Sequence, residues 1–497
     1  MFKIADLYLL SPELSLTVLA LVVMTVDLFV KRRIVTVAVA LVGLAVPLLL
    51  TISLILTTSG GPRRAFFDML VVDNYALFFK VIFLLIAIVM ILASYSYVGK
   101  YVKADGEFYT LMLFSVVGMM LMASTGELIS IYISLELTSI PLYVMAGLIR
   151  ANERSAEASV KYVLLGAMSS AILLYGFALL YGLTGTTDLI SMKGAFMNAL
   201  QSGNMLVLIA DVLILAGFGF KISAVPFHMW APDIYEGAPT PATAFFSVGS
   251  KAAGFAALLR VLFYGGLVIR ETASLVIIVS IIAVMTMTLG NLVAATQSNV
   301  KRLMAYSSIA QAGYILVGVT ASIATQSTIG NAAVLFFILV YVLTNLGAFS
   351  GIIGLANATG GERIDDFRGL ARRAPYLSAG TALCLLSLAG IPFVAGFWSK
   401  VFIFTAAWSL GLQWLVIVAL LNTIVSLVYY GRIVKAMYFD APLKPDHLRI
   451  SIGLNSSVTF AAAALIILTV AAQFALNAAG YGAHDLFGPL QQILGGR

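Results

Sequence analysis

The sequence predicts an all-α polytopic membrane protein of about fourteen transmembrane helices, with two inverted five-helix repeats and two discontinuous helices. Three observations carry that prediction. Of 497 residues, 61% are hydrophobic and only 10% charged, whereas soluble domains hold roughly one quarter charged residues. The apolar residues fall in runs long enough to cross roughly 30 Å of hydrocarbon, which takes about 20 residues of helix. Two of those runs are too long for one straight crossing, and each carries a proline in its interior.

In chain order the apolar segments lie near 12–30, 34–57, 75–97, 108–124, 127–149, 156–183 and 204–236. They continue near 239–264, 272–295, 303–323, 328–355, 377–409, 413–437 and 453–477. The first begins after MFKIAD and ends on the KRR of residues 31–33. A cleaved signal peptide would carry its positive residues first, so this segment is expected to be a retained helix. An even number of crossings puts both termini on one side. Loops after odd-numbered segments hold seventeen Lys and Arg residues, and the opposite loops and termini hold seven. The positive-inside rule therefore puts both termini on the non-cytoplasmic side, in a bacterial cytoplasmic membrane or an equivalent organellar one.

The over-long segments are 204–236 and 377–409, with Pro226 in SAVPFHMW and Pro392 in AGIPFVAGFW. Proline removes a backbone donor and clashes with the preceding turn, so each segment is expected to break. Interrupted spans at matching places in two halves are the sequence pointer to an inverted-repeat transporter. The expected organisation is three N-terminal helices in 1–107, repeats in 108–264 and 272–437, and a loop and last helix in 438–497.

Composition also excludes functions. The net charge of +7 is dispersed between apolar runs, unlike the basic patch of a nucleic-acid binder. A single cysteine, Cys384, and histidines only at 228, 447 and 484 leave no ligand set for a haem, iron–sulfur or zinc site confined to this chain. No cofactor is expected in it.

Five lysines remain inside the segments: Lys80, Lys161, Lys221, Lys251 and Lys400. A charged side chain at the centre of a span costs roughly 2.5–3.5 kcal/mol on insertion scales. Glu136 lies nine residues into its segment, about 14 Å deep at 1.5 Å per residue. Lys251 is similarly central, and Lys221 and Lys400 flank the two breaks. These four are expected to carry protons or ions, since an apolar core would be more stable than charges serving only as glue. Lys161, nearer the end of its helix, is expected to take part, as is His228 beyond the first break. Lys80 is expected to snorkel to the headgroups. Asp211 reads equally as interfacial or functional, and the charged loop 358–375 reads as a solvated face or a docking element. Burial disfavours the ammonium form of lysine and a nearby carboxylate restores it, so moving Glu136 relative to Lys221 would switch proton affinity.

The stretches ELTSIPLYVMAG (136–147), YGLTGTTDL (181–189), FKISAVPFHMWAPDIYEGAPTP (220–241), SVGSKAAGF (247–255) and GIPFVAGFWSK (390–400) resemble the antiporter-like subunits of respiratory complex I, NADH–quinone oxidoreductase. The likeness covers nearly the whole chain. It implies a proton-translocating subunit beside other membrane-arm subunits, with flavin and iron–sulfur clusters in partner subunits and quinone as substrate of the complex. It implies that Glu136 pairs electrostatically with Lys221, that Lys251 and His228 connect half-channels, that Lys400 is a terminal proton site and that Lys161 serves the input side. Around Lys400 the family often has a further proline and a glycine, where this chain has Phe393 and Ser399. A subunit of a Mrp-type cation/proton antiporter is the alternative that the same residues allow.

Overall fold

The structure, a computed structural model, describes residues 4–30, 32–57, 61–102, 104–201, 204–267, 272–325, 327–442 and 446–494. Of the basic residues counted above, Lys3, Lys31, Lys103, Arg270, Lys444 and Arg497 lie outside that set. Among the described residues the chain is a helical bundle whose single sheet is a small hairpin, Arg63–Ala65 paired with Leu70–Val72. Among the described residues, thirteen helices are long and apolar enough to cross a membrane. The fourteenth predicted crossing, 377–409, is divided into Pro375–Ala389 and Ala395–Ser409. At about 1.5 Å per residue neither half spans the hydrocarbon alone.

Helices sort by burial. Thr240–Tyr264, Val300–Ala324 and Thr328–Thr359 are almost wholly enclosed, whereas Ser11–Phe29 and Ile452–Val470 are mostly exposed on one side. In lipid, an outer helix needs no polar face, so its exposed stripe is as apolar as its buried one. Polar side chains instead collect on the enclosed helices. The segment 34–57 bends between Arg33–Gly43 and Ala45–Thr57, where Pro47 removes the amide that would bond back to Gly43.

Both predicted breaks are present. Met205–Ile222 ends at Ser223, which takes a left-handed φ of 60°. The chain resumes at Trp230–Gly237, and the Trp230 indole N–H reaches back across the gap to the Phe220 carbonyl at 2.9 Å. In the second break, Pro375–Ala389 ends at Gly390 with φ 82°, and the Gly396 amide donates to Ser387 Oγ at 3.0 Å. Phe393, where the related family often has proline, takes φ 71° and is exposed.

Three expectations change and one open reading is narrowed. Lys80 does not snorkel: it is fully buried and its ammonium lies 2.8 Å from Glu13, a carboxylate in the first turn of Ser11–Phe29. Arg260, counted with the outer loops, is inside the bundle in the helical turn Arg260–Tyr264. Its guanidinium forks onto Asp73 at 2.5 and 2.9 Å, donates to the Ala123 carbonyl at 2.8 Å, and lies between the rings of Tyr75 and Tyr264. Asp211, which the sequence left open, is buried in the bundle. Lastly, the final segment turns at Ala471 into a further helix, Ala472–Leu494. Its buried residues Ala472, Ala479, Ala483 and Leu486 recur at helical spacing. Asp485 accepts from both the amide and the side chain of Asn74 at 2.8 Å, tying the helix across the start of Asn74–Tyr101.

The charged loop 358–375 is held against the bundle. It forms two short turns, Ile364–Phe367 and Leu370–Arg373, that bury Phe367 and Leu370. Glu362 receives Lys301 at 2.8 Å, and Lys301 also donates to the Ala238 carbonyl. The loop is thereby bound to the helix end just beyond the first break.

Removing one partner of a fully buried ion pair leaves an uncompensated charge, at a cost of about 3–5 kcal/mol. Asp73→Leu is therefore expected to lower the thermal midpoint of the detergent-solubilised protein sharply. Adding Arg260→Met should recover most of the loss, because the double change leaves no charge behind. Thermal-shift measurement of the two variants checks this.

Candidate functional site

The helix Leu128–Ala146 carries Ser134, Glu136, Thr138 and Ser139 in an otherwise apolar stretch. Glu136 and Ser139 are three residues apart and therefore on neighbouring positions of one face. Lys221 occupies the last turn of Met205–Ile222, where the free carbonyls of a helix C-terminus favour a cation. Its ammonium donates to Ser139 Oγ. Glu136 is an electrostatic neighbour of Lys221, yet the two form no direct ion pair among the described residues. The carboxylate thus acts on Lys221 only through space, and the Ser139 hydroxyl that Lys221 reaches donates to the Leu135 carbonyl.

Lys251 opens the helix Lys251–Leu259 directly after a π-turn, Phe246–Ser250. Such turns widen a helix locally and recur at functional sites. Lys251 Nζ lies 2.7 Å from Ser308 Oγ. Gly254, one turn on, faces Lys221, so that the two lysines share one helix–helix seam. Lys400 reaches back over the second break to the Leu388 and Ala389 carbonyls, at 3.3 and 3.0 Å, and sits 4.8 Å from the centre of the Tyr314 ring.

Lys221, Lys251 and Lys400 are 4%, 2% and 4% exposed. Among the described residues, none of the three forms an ion pair; each is held by neutral oxygen atoms. The other buried cations of the spans differ: Lys80 has Glu13, Arg260 has Asp73 and Lys301 has Glu362. Since an unpaired buried charge is far costlier than a paired one, this contrast separates two classes of intramembrane cation.

A polar line runs between the last two lysines. Ser307 bonds Tyr430, Gln311 Nε2 lies 3.4 Å from the same hydroxyl, and Gln311 also donates to the Leu388 carbonyl that Lys400 uses. Ser307 is next to Ser308, the partner of Lys251. Sequence reasoning missed this group. Its signal was the run AYSSIAQAGY (305–314), in which Ser307, Gln311 and Tyr314 recur at helical spacing within an apolar span.

Two predicted residues are not brought to the lysine line. His228 is half-buried in the first break beside the exposed Pro226 and Met229, with no hydrogen bond to Lys221 or Lys251 among the described residues. Lys161 is 41% exposed and joins a charge network at the other end of the same broken helix. It pairs with Glu157 at 2.7 Å and Asp233 at 2.9 Å, while Arg302 bonds Asp233 at 2.8 Å and Glu236 at 3.1 Å. These groups line a cavity of about 260 Å³.

The geometry defines a class: a polytopic membrane protein with two broken helices and a buried line of unpaired lysines. Residues 125–426, which hold all three lysines, match the family described as "NADH:quinone oxidoreductase/Mrp antiporter, TM". A protein of Moorella thermoacetica, NADH-quinone oxidoreductase subunit N, is 43% identical over 487 residues, covering 96% of this chain and 98% of that protein. A chain in the structure of respiratory complex I from Thermus thermophilus with bound Aureothin is 32% identical, with a TM-score of 0.77 over 95% of this chain and 100% of that one. A chain of the Mrp complex from Dietzia sp. DQ12-45-1b is 21% identical, with a TM-score of 0.86 over 99% of each chain, and so shares the fold. The chain belongs to the NADH-quinone oxidoreductase subunit N family.

Outside the spans, Lys193 is a further buried amine that sequence reasoning did not single out. It is 2% exposed, and its ammonium has no hydrogen-bond partner among the described residues. Burial pushes it down to about 8, Arg64 acts in the same direction and Asp188 opposes. The folded value lies below the ~10.4 of an unfolded chain, so the penalty is full at neutral pH. It fades as pH rises from about 8 towards ~10. Lys193→Met is expected to raise the thermal midpoint at pH 7 and to flatten its rise between pH 7 and 9.5; scanning both proteins across that range tests it.

Proposed function

We propose that the chain is a proton-translocating membrane-arm subunit of a redox-driven NAD(P)H– or ferredoxin–quinone oxidoreductase, and that it holds no redox centre itself. The flavin and iron–sulfur clusters belong to partner subunits, and quinone is the substrate of the whole complex. The observation that carries this reading is the set of three enclosed lysines that share no carboxylate, joined in part by hydroxyls, an amide and freed carbonyls.

In this reading, Glu136 acts on Lys221 through space, while Ser139 holds the ammonium. When the carboxylate is near, Lys221 holds its proton; when a neighbouring subunit draws it away, burial disfavours the ammonium and the proton moves on. Lys251 receives it along the seam that the two lysines share. Ser308, Ser307, Tyr430 and Gln311 carry it toward Lys400, whose ammonium rests on the carbonyls of the second break. Both broken helices supply backbone groups that ordinary spans keep occupied. Lys161 and the cavity beside Asp233 form the input side, and His228 relays protons near the first break. The two breaks and their lysines belong to inverted repeats at 108–264 and 272–437. Both termini lie on the non-cytoplasmic side of a bacterial cytoplasmic membrane.

A Mrp-type exchanger is the rival reading. The likeness to the Mrp complex is one of fold, and the closer sequence match is to subunit N. A lysine at position 400 in place of a carboxylate also favours subunit N.

Lys221→Ala, Lys251→Ala and Lys400→Ala are each expected to lower NADH-driven proton uptake severalfold in vesicles containing the complex. The Glu13→Leu, Lys80→Met double change, which removes a paired cation, is expected to leave the proton-to-electron ratio unchanged. An unaltered ratio in all three alanine variants would overturn the reading. Cation-dependent proton exchange without any electron donor would establish the exchanger instead.

A further inference from the structure

The lysine line has a gap. From Lys251 onward, hydroxyls and an amide lead toward Lys400. Between Lys221 and Lys251 the shared seam is made of carbon, where Gly254 packs against Ile222 and the base of Lys221. A proton needs oxygen or nitrogen atoms to move along. Oxygens that bridge the gap lie to one side, on three tyrosines.

Glu136, Ser139 and Tyr143 stand at i, i+3 and i+7 on one face of Leu128–Ala146. Tyr143 has both Glu136 and Ser139 as neighbours, and its hydroxyl fills space that a side chain at Gly166 would take. Its ring meets that of Tyr162 edge-on, with centroids 4.7 Å apart. Tyr162 lies nearly parallel to Trp230 at 4.9 Å, the residue that closes the first break. Trp230 in turn meets Tyr235 at 6.3 Å. Tyr162 has Tyr143, Tyr235 and Ser250 as neighbours. Tyr235 has Ser308, the hydroxyl that holds Lys251. The group thus reaches from Ser139 to Ser308.

These hydroxyls differ from those of other buried tyrosines. Tyr75 donates to the Ala256 carbonyl at 2.8 Å, Tyr341 to the Ser247 carbonyl at 3.0 Å and Tyr429 to Asn291 at 3.0 Å. Tyr143, Tyr162, Tyr235 and Ser250 are at most 7% exposed, and their hydroxyls make no hydrogen bond among the described residues. A buried polar atom without a partner costs stability, so four neighbouring ones between two lysines call for a use. A hydroxyl fixed to a carbonyl cannot turn, whereas one with no fixed acceptor can. A chain of hydroxyls has to turn after each proton has passed. Trp230 and Phe246 pack against the Tyr162 ring, which leaves its O–H bond as the part free to move.

We infer that Tyr143, Tyr162, Tyr235 and Ser250 form the proton connection between the Glu136–Lys221 unit and the Lys251–Ser308 pair. The inference rests on the proton-translocating reading of the three lysines. Lys221 gives a proton to Ser139 Oγ, and each hydroxyl oxygen accepts one proton and releases its own to the next. Ser308 passes the last to Lys251, which receives it as the free amine. No hydroxyl gains or loses a proton overall, and each turns back before the next transfer.

The intact complex in sealed vesicles tests the connection. Tyr162→Phe and Tyr235→Phe keep the ring and remove only the oxygen. Each is expected to lower NADH-driven proton uptake severalfold while leaving the thermal midpoint unchanged or raised, since an unpartnered polar atom is removed. Tyr75→Phe, which removes a bonded hydroxyl away from the line, is expected to leave uptake unchanged. Added to Lys251→Ala, Tyr162→Phe should cause no further loss, because both interrupt one path. Normal uptake in both tyrosine variants, uptake that falls only together with the thermal midpoint, an equal loss in Tyr75→Phe, or losses that multiply in the double variant would each overturn the assignment. If the lysine variants lower uptake and the tyrosine variants do not, the lysine line stands without this connection. If the lysine variants leave the ratio of protons to electrons unaltered, the reading beneath it falls as well.

Discussion

The fold depends on how a cation survives inside an apolar bundle. Isolated in a low-dielectric interior, an ammonium loses its hydration with nothing to replace it. The chain answers this in two ways. Lys80, Arg260 and Lys301 are each given a carboxylate, and the carboxylates come from helices or loops distant in sequence. Those pairs fasten the N-terminal helices, one end of the central helices and the loop beyond residue 358. Lys221, Lys251 and Lys400 receive only neutral oxygens. A pair that is always satisfied has no reason to exchange its proton, whereas a lysine held by hydroxyls and carbonyls keeps hydrogen bonds in either protonation state.

Helix breaks make the second solution possible. An unbroken helix consumes its own carbonyls, and only its last turn leaves them free. By ending Pro375–Ala389 inside the bundle, the chain presents the Leu388 and Ala389 carbonyls to Lys400. The Leu388 carbonyl also accepts from Gln311, so the break is joined to the polar side of Val300–Thr325. At the first break the Trp230 indole occupies the Phe220 carbonyl, so Lys221 turns instead to Ser139. The two breaks are alike in the chain and different in what holds the lysine.

Much of this was legible in the sequence, because the membrane makes charge conspicuous. Length of apolar runs located the thirteen helices that are long and apolar enough to cross a membrane among the described residues, and a proline within an over-long run located both breaks. What the sequence withheld is partnership. Lys80 and Lys221 look the same in a hydropathy plot; one has Glu13 within 2.8 Å and the other a serine hydroxyl. Arg260 looked like a loop residue because it stands near the end of an apolar run, and only packing put Asp73 against it. Ser307, Gln311 and Tyr430 were passed over because hydroxyls and amides are common in membrane helices, where they often bond their own backbone. The Ala472–Leu494 helix was missed because it is amphipathic and lies across the bundle rather than through it, so a search for spans does not find it.

Ser139 bears most directly on the Glu136–Lys221 relation. A direct ion pair in a low dielectric would be strong enough to hold both partners in place, and breaking it would cost several kcal/mol. Without a direct pair the carboxylate still biases the lysine through space, but no single strong bond has to be broken for the bias to change. Glu136 is half-buried, among neighbours such as Ile133 and Ile140 that face away from the bundle. A group outside this chain can therefore compete for the carboxylate while Lys221 stays enclosed. The carboxylate and the lysine that it biases thus stand differently, one half-buried at the face of the bundle and one enclosed within it, and Lys221 meets the helix of Glu136 at Ser139.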